Sequence, residues 1–145
     1  MSSKVLLIGG AGYIGTVVTK HLIKKNFDVT CLDNLIYNNL YSLSEFEKDK
    51  KFNFVLGDLR NEALTNKLLN ECDAVVILAG LVGDPITKKY PEISEKINNK
   101  GIKKLINSCK NKKIEKLIFV STCSNYGLSE TDLPLNEEAE LKPIS

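Results

Sequence analysis

Three observations predict a doubly wound parallel α/β sheet for this 145-residue chain. Short apolar runs alternate with helix-periodic stretches along its length, the order of successive βαβ units. The first run, Val5 to Ile8, leads into glycines at 9, 12 and 15 and then an amphipathic helix. The later runs end in acidic, small or hydroxyl residues, the types that line a ligand crevice at the carboxyl ends of parallel strands.

The elements follow in order. Strand 1 is expected at Lys4–Ile8, buried on both faces. Gly9 provides a tight turn, Gly12 lets the backbone approach an anion closely, and Gly15 lets the next helix pack hard against the strand. That helix is expected from Tyr13 to Lys25, with Ile14, Val17, Val18 and Leu22 inward and His21 partly packed. Its free N–H groups and positive dipole end face the turn, so the segment reads as the pyrophosphate cradle of a Rossmann-like, dinucleotide-binding fold. Further strands are expected at Phe27–Leu32, Phe52–Leu56, Ala74–Leu78 and Leu117–Val120. About five strands follow from this pattern, and a doubly wound sheet of this kind implies the order 3-2-1-4-5. A helix carrying Leu64, Leu68 and Leu69 lies between strands 3 and 4. The longest helix opens at Pro91 and runs to about Lys110, with Ile93, Ile97, Ile102, Leu105, Ile106 and Cys109 as its inner stripe. Gly127–Ser145 is polar and proline-punctuated and reads as loop.

The rival phosphate loop fails a direct test. Gly10 and Gly15 have its spacing, but Thr16-Val17 stands where Lys-Ser/Thr is required.

Composition narrows the function. The chain suits one domain with a real core. A net charge of +2 makes no case for nucleic acid. No apolar run approaches a membrane span, so a cytoplasmic location is expected. The four cysteines have no C-x-x-C spacing and there is one histidine, so reduced thiols are favoured over disulfides or a metal site.

The strand ends carry the chemistry. Asp33 and Asn34 close strand 2, and Asp33 lies eighteen residues after Gly15. A carboxylate there accepts from the adenosine ribose and repels a 2′-phosphate, which favours NAD over NADP. Capping of a loop is the competing reading of Asp33. Strand 3 ends in Asp58-Leu59; Asp58 suits an adenine amine or, equally, a helix N-cap. Leu78, Ala79 and Gly80 leave room for a cofactor, as they would for a tight turn. Strand 5 opens into Ser121, Thr122, Cys123 and Ser124, a hydroxyl cluster suited to a polar ligand.

These segments together resemble the NAD-dependent nucleotide-sugar epimerase/dehydratase family of the extended short-chain dehydrogenase/reductase superfamily. Gly9-Gly10-Ala11-Gly12-Tyr13-Ile14-Gly15 is similar to its glycine signature. Asp33-Asn34-Leu35, Asp58-Leu59 and Leu78-Ala79-Gly80-Leu81 resemble its cofactor contacts, and Asn98 with Gly101 its N-x-x-G motif. The resemblance implies NAD as cofactor, a nucleotide sugar as partner, and isomerase chemistry: hydride transfer at a sugar carbon through a keto intermediate. It places Tyr13, Ile14 and Asn98 with the cofactor-binding residues and gives Thr122 the catalytic Ser/Thr position. Cys123-Ser124 stand where the dehydratase branch has Asp-Glu, which favours epimerase or ketoreductase chemistry.

The family's Tyr-x-x-x-Lys pair is missing: none of the five tyrosines has a lysine four residues on. The tail Leu141–Ser145 resembles the segment leading into that tyrosine. The expectation is therefore an incomplete cofactor domain over 1–145, truncated before the catalytic helix and without a substrate domain. Such a chain alone is expected to bind NAD weakly and to turn over no nucleotide sugar, and to form a homo-oligomer through an exposed strand 5. The alternative is a non-catalytic dinucleotide-binding module acting through a partner chain.

Overall fold

Five strands, β1 (Lys4–Ile8), β2 (Asp28–Asp33), β3 (Phe52–Leu56), β4 (Ala74–Ile77) and β5 (Lys116–Phe119), form one parallel sheet in the order β3-β2-β1-β4-β5. This computed structural model describes residues 2–128 and 134–143. The expected strand order is the observed one.

The centre of the sheet explains why Val5–Ile8 is apolar throughout. Leu6 and Ile8 pack with Leu32, Val75, Ile77 and Leu105 on one face, whereas Val5 and Leu7 pack with Val29 and Val76 on the other. Side chains alternate across a strand, so a strand covered on both faces has no polar position to spare. Burying each such side chain contributes roughly 1.5–3 kcal/mol. Register is tight: Val5 lies opposite Val29 and Ala74, and Ile8 opposite Leu32 and Ile77.

Three strands differ by one residue from expectation, β2 and β5 at both ends and β4 at its carboxyl end, with local causes. The Phe27 N–H donates to Leu22 O, completing the preceding helix end, so β2 begins at Asp28. The N–H groups of Leu78 and Ala79 both donate to Ile8 O, turning the chain away from the sheet after Ile77. Lys116 pairs with Ala74 and opens β5 one residue early. As the outer strand, β5 has all four residues exposed.

Helix α1 (Tyr13–Lys24) is rotated from its expected orientation. Gly15 and Thr19 are buried, and Val18, Leu22 and Ile23 pack against the sheet. Ile14 is 56% and Val17 63% exposed, and His21 is also exposed. The close approach of Gly15 to Gly10 sets this rotation. At about 100° per residue, Ile14 and Val17 then point away from the sheet.

Helix α2 (Glu62–Leu69) starts on Asn61, whose Oδ1 accepts from Leu64 N. A short α3 (Asp84–Lys89) precedes the long helix, which spans Pro91–Lys110 as α4 (Pro91–Ser94), a π-helical stretch Glu95–Gly101 and α5 (Ile102–Lys110). Ile97 and Ile102 are both buried although five apart, a spacing that i→i+5 hydrogen bonding accommodates and an α-helix does not. The change of pitch also moves the N-terminal end: Ile93 is 43% exposed, and Ser94 takes the inward place expected of it.

Between β2 and β3 the chain forms a 3₁₀ segment, Leu40–Phe46, that no sequence periodicity announces. Residues 134–143 are irregular, as expected for the tail; 129–133, Ile144 and Ser145 lie outside the described residues. No helix among the described residues is long and apolar enough to cross a membrane.

Candidate functional site

The parallel strands deliver their carboxyl ends to one cleft of about 810 Å³. At its centre is the glycine turn. Gly9 has φ +85°, and a Cβ there would lie 2.6 Å from Ala79 N at the end of β4. Both conditions require glycine. Its N–H donates to Leu32 O at 2.8 Å, tying the turn to β2.

Gly12 is the N-cap of α1 and supplies no side-chain cap, and no acidic residue occupies the first turn. The N–H groups that open a helix have no acceptors within it. Here they face the cleft at the positive end of the dipole, an arrangement that fits a diphosphate.

Around the turn the cleft is lined by Gly9, Gly12, Tyr13, Ile14, Gly15, Asp33, Asn34, Asp58, Leu59, Leu78, Ala79, Gly80 and Thr122. The structure thus gathers every expected site residue but one. Asn98 does not join the wall. Its Oδ1 accepts from Leu81 N and its Nδ2 donates to Leu81 O, both at 2.8 Å, so it grips from behind the loop that follows β4.

The carboxylates differ in their surroundings. Asp33 Oδ2 accepts from Ala11 N at 3.0 Å and Oδ1 from Leu35 N at 2.8 Å. One bond on each oxygen leaves acceptor capacity for a ribose diol. Asp58 is more heavily engaged: Oδ1 accepts from the backbone N and Nε of Arg60, and Oδ2 from Arg60 Nη2 at 2.7 Å and Asn34 Nδ2 at 3.1 Å. The Arg60 guanidinium is the main cause holding the Asp58 carboxyl down at about 2.

This pair carries a pH prediction. An ordinary Asp in the unfolded chain titrates near 3.9. The Asp58–Arg60 bonding therefore stabilises the fold above about pH 4 and is lost as pH falls towards 2. The pair is partly exposed, so its effect is below about 1 kcal/mol. In Arg60→Ala the Asp58 carboxyl is expected to titrate back towards the usual carboxylate range, which carboxyl-carbon NMR reads directly.

Thr122 follows β5 with extended backbone, and its Oγ1 accepts from Ser124 N at 3.2 Å. Its hydroxyl proton is not used in that bond. Asn125 Nδ2 donates to Ser121 Oγ at 2.8 Å, fixing the neighbouring hydroxyl. Cys31, beneath the turn, is inert: burial and then the Asp33 charge push its thiol up to about 12. Burial likewise pushes Cys72 up to about 11.

Sequence reading missed the part of the wall supplied by the β2–β3 connection: Ile36, Tyr37, Asn39, Tyr41 and Ser42. No motif in the sequence marks these residues as a ligand wall; Asn39 and Ser42 stand in a polar stretch of the kind that loops share.

Comparison with known proteins agrees with this geometry. The model of the NAD dependent epimerase/dehydratase family matches residues 5–145. A UDP-glucose 4-epimerase of Lactobacillus helveticus is 33% identical over 144 residues, 98% of this chain and 42% of that protein. A UDP-glucose 4-epimerase of Klebsiella pneumoniae is 32% identical over 130 residues, 86% of this chain and 92% of its partner sequence. Among solved structures, the UDP-N-acetylglucosamine 4-epimerase of Methanobrevibacter ruminantium superimposes with a TM-score of 0.90 at 30% identity, over 100% of this chain and 46% of that one. The Brucella ovis UDP-glucose 4-epimerase in complex with NAD gives 0.86 at 26% identity, over 99% and 42%. The chain thus spans less than half of three of these four relatives. With the family match running from Val5 in β1 to Ser145, this chain belongs to the NAD dependent epimerase/dehydratase family.

Proposed function

We propose that this chain is the NAD-binding part of a nucleotide-sugar epimerase. The observation that carries the proposal is the uncapped start of α1 facing the same cleft as Asp33. The N–H groups of that first turn hold a diphosphate, Asp33 accepts from the adenosine ribose, and Leu78-Ala79-Gly80 give the dinucleotide a flat wall to lie against. Bound there, NAD supplies the acceptor and donor of hydride for a sugar carbon. Thr122 acts on the reacting oxygen, since its hydroxyl proton is free to be donated. Cys123 and Ser124 are not carboxylate acids or bases, so the reading is epimerisation through a keto sugar rather than dehydration.

Within these 145 residues no tyrosine has a lysine four positions later. The chain alone therefore binds NAD weakly and lacks family-level turnover of a nucleotide sugar, since a missing acid/base costs on the order of 10²–10⁴ in rate. The same gap supports a second reading, a dinucleotide-binding module acting through a partner chain. The free thiols of Cys31, Cys72, Cys109 and Cys123 suit the cytoplasm, where such groups stay reduced.

Calorimetric titration tests the reading. NAD is expected to bind one to one and NADP at least about tenfold more weakly, because Asp33 repels the 2′-phosphate. No binding of NAD, or equal binding of NADP, overturns it. Incubation with UDP-glucose and NAD is expected to yield no epimer, and family-level turnover by this chain alone overturns the inactivity.

A further inference from the structure

Ala11, in the middle of the glycine turn, has both its backbone N–H and its C=O held by side chains from outside the turn. Asp33 Oδ2 accepts its N–H at 3.0 Å. On the far side, Ala11 O accepts from Asn39 Nδ2, and Ser42 Oγ lies 2.9 Å from the same oxygen. Ser42 Oγ is also 2.7 Å from Asn39 O, so its single proton is shared between the two carbonyls. Both residues belong to the start of the 3₁₀ segment Leu40–Phe46, with Asn39 as its N-cap.

Two further contacts join that segment to the turn. Ala11 is 1% exposed and packs in one cluster with Cys31, Leu43 and Phe46. Lys20 of α1 pairs with Glu45 at 2.7 Å. Polar, apolar and ionic contacts therefore tie the turn and the body of α1 to this one segment and its N-cap.

We infer that Asn39 and Ser42 are positioning residues for the diphosphate-binding turn: by gripping Ala11 O they fix the peptide orientation that aims the first-turn N–H groups of α1 into the cleft. The inference rests on the dinucleotide reading for its functional consequence, and on the hydrogen bonds alone for its structural one. A turn that must present several N–H donors to one anion loses affinity when its peptides can rotate, since ordering them is then charged to binding. Asp33 cannot prevent this, because it holds the preceding peptide, Gly10–Ala11, whereas the other end of the Ala11–Gly12 peptide has the long bond from Gly12 N to Gly9 O at 3.3 Å.

The test uses the whole chain with Asn39→Ala/Ser42→Ala and, as the conservative control, Ser42→Thr, which keeps the hydroxyl. Two ligands separate the turn from the rest of the cleft: ADP-ribose, which carries the diphosphate, and adenosine, which does not. In the double variant the Kd for ADP-ribose is expected to rise about five- to fiftyfold while that for adenosine stays within about twofold. Ser42→Thr is expected to match the parent chain. Equal losses for both ligands, or no loss for either, overturn the inference. A ligand-free measurement keeps it separate from the dinucleotide reading. Amide hydrogen exchange at Ala11 and Gly12 is expected to quicken at least about tenfold in the double variant, with β1 and β4 unchanged. Unchanged exchange at those two amides overturns the positioning role whatever the chain binds. Failure of the parent chain to bind ADP-ribose, with quickened exchange, overturns the dinucleotide reading and leaves the structural role standing.

Discussion

Replacing Gly15 with valine is expected to weaken NAD binding at least about a hundredfold and to lower the Tm by about 3–10 °C. A Cβ at position 15 would meet Gly10 O, C and Cα at 2.5–2.6 Å. All three are backbone atoms, so relief requires moving α1 away from the turn. Overpacking of this kind costs about 1–3 kcal/mol, more where nothing flexible can yield. The displaced helix then aims its first-turn N–H groups away from the position they share with Asp33. Gly12→Ala provides the contrast. There a Cβ would meet only Gly9 O, at 3.3 Å. Its Tm is expected to stay within about 3 °C of the parent chain, while the added methyl keeps a diphosphate from the backbone. Thermal unfolding by circular dichroism and titration with NAD separate the two effects. Equal Tm for Gly15→Val and the parent chain contradicts the packing assigned to this contact.

Asn98→Ala is expected to be the most damaging polar substitution, costing about 2–4 kcal/mol in denaturant unfolding. Both amide atoms of Asn98 are spent on one residue, Leu81, at 2.8 Å each. Truncation leaves a part-buried N–H and C=O without partners, in a loop whose strand has already ended at Ile77. Leu81 is itself 6% exposed, so water does not readily take the place of the amide. The loop lines the cleft, and NAD binding is expected to weaken with it. Asn98→Asp keeps the acceptor for Leu81 N but sets a carboxylate against Leu81 O, so it does not rescue. A cost below about 0.5 kcal/mol for Asn98→Ala contradicts the grip.

Much of this was legible in the sequence because it depends on short-range rules. The run Val5–Ile8 can only be a strand covered on both faces, and glycines at 9, 12 and 15 mark where backbone must pass backbone. Asp33 and Asp58 were found because a strand end is a fixed address in a parallel sheet. What escaped depends on contacts between distant segments. The rotation of α1 follows from Gly15 touching Gly10, which no hydrophobic count weighs, so Ile14 and Val17 were placed inward when they face out. The π-helical turn at Glu95–Gly101 lets Ile97 and Ile102 share a face across five residues and exposes Ile93. By resemblance Asn98 supports the active site and stands with the cofactor residues; its hydrogen bonds go to Leu81, in the loop that lines the cleft. Asn39 and Ser42 were invisible because they act on a carbonyl 28 and 31 residues away, from a segment with no helical or strand period.

The most direct measurement follows backbone amide NMR shifts of this chain as NAD is added. Binding in the cleft predicts saturable shifts at Gly9–Gly15, Asp33–Leu35, Asp58–Leu59 and Leu78–Gly80, with Lys4, Asp28 and Lys51 at the opposite end of the sheet unmoved. Shifts confined to that opposite end, or none at millimolar NAD, would contradict it.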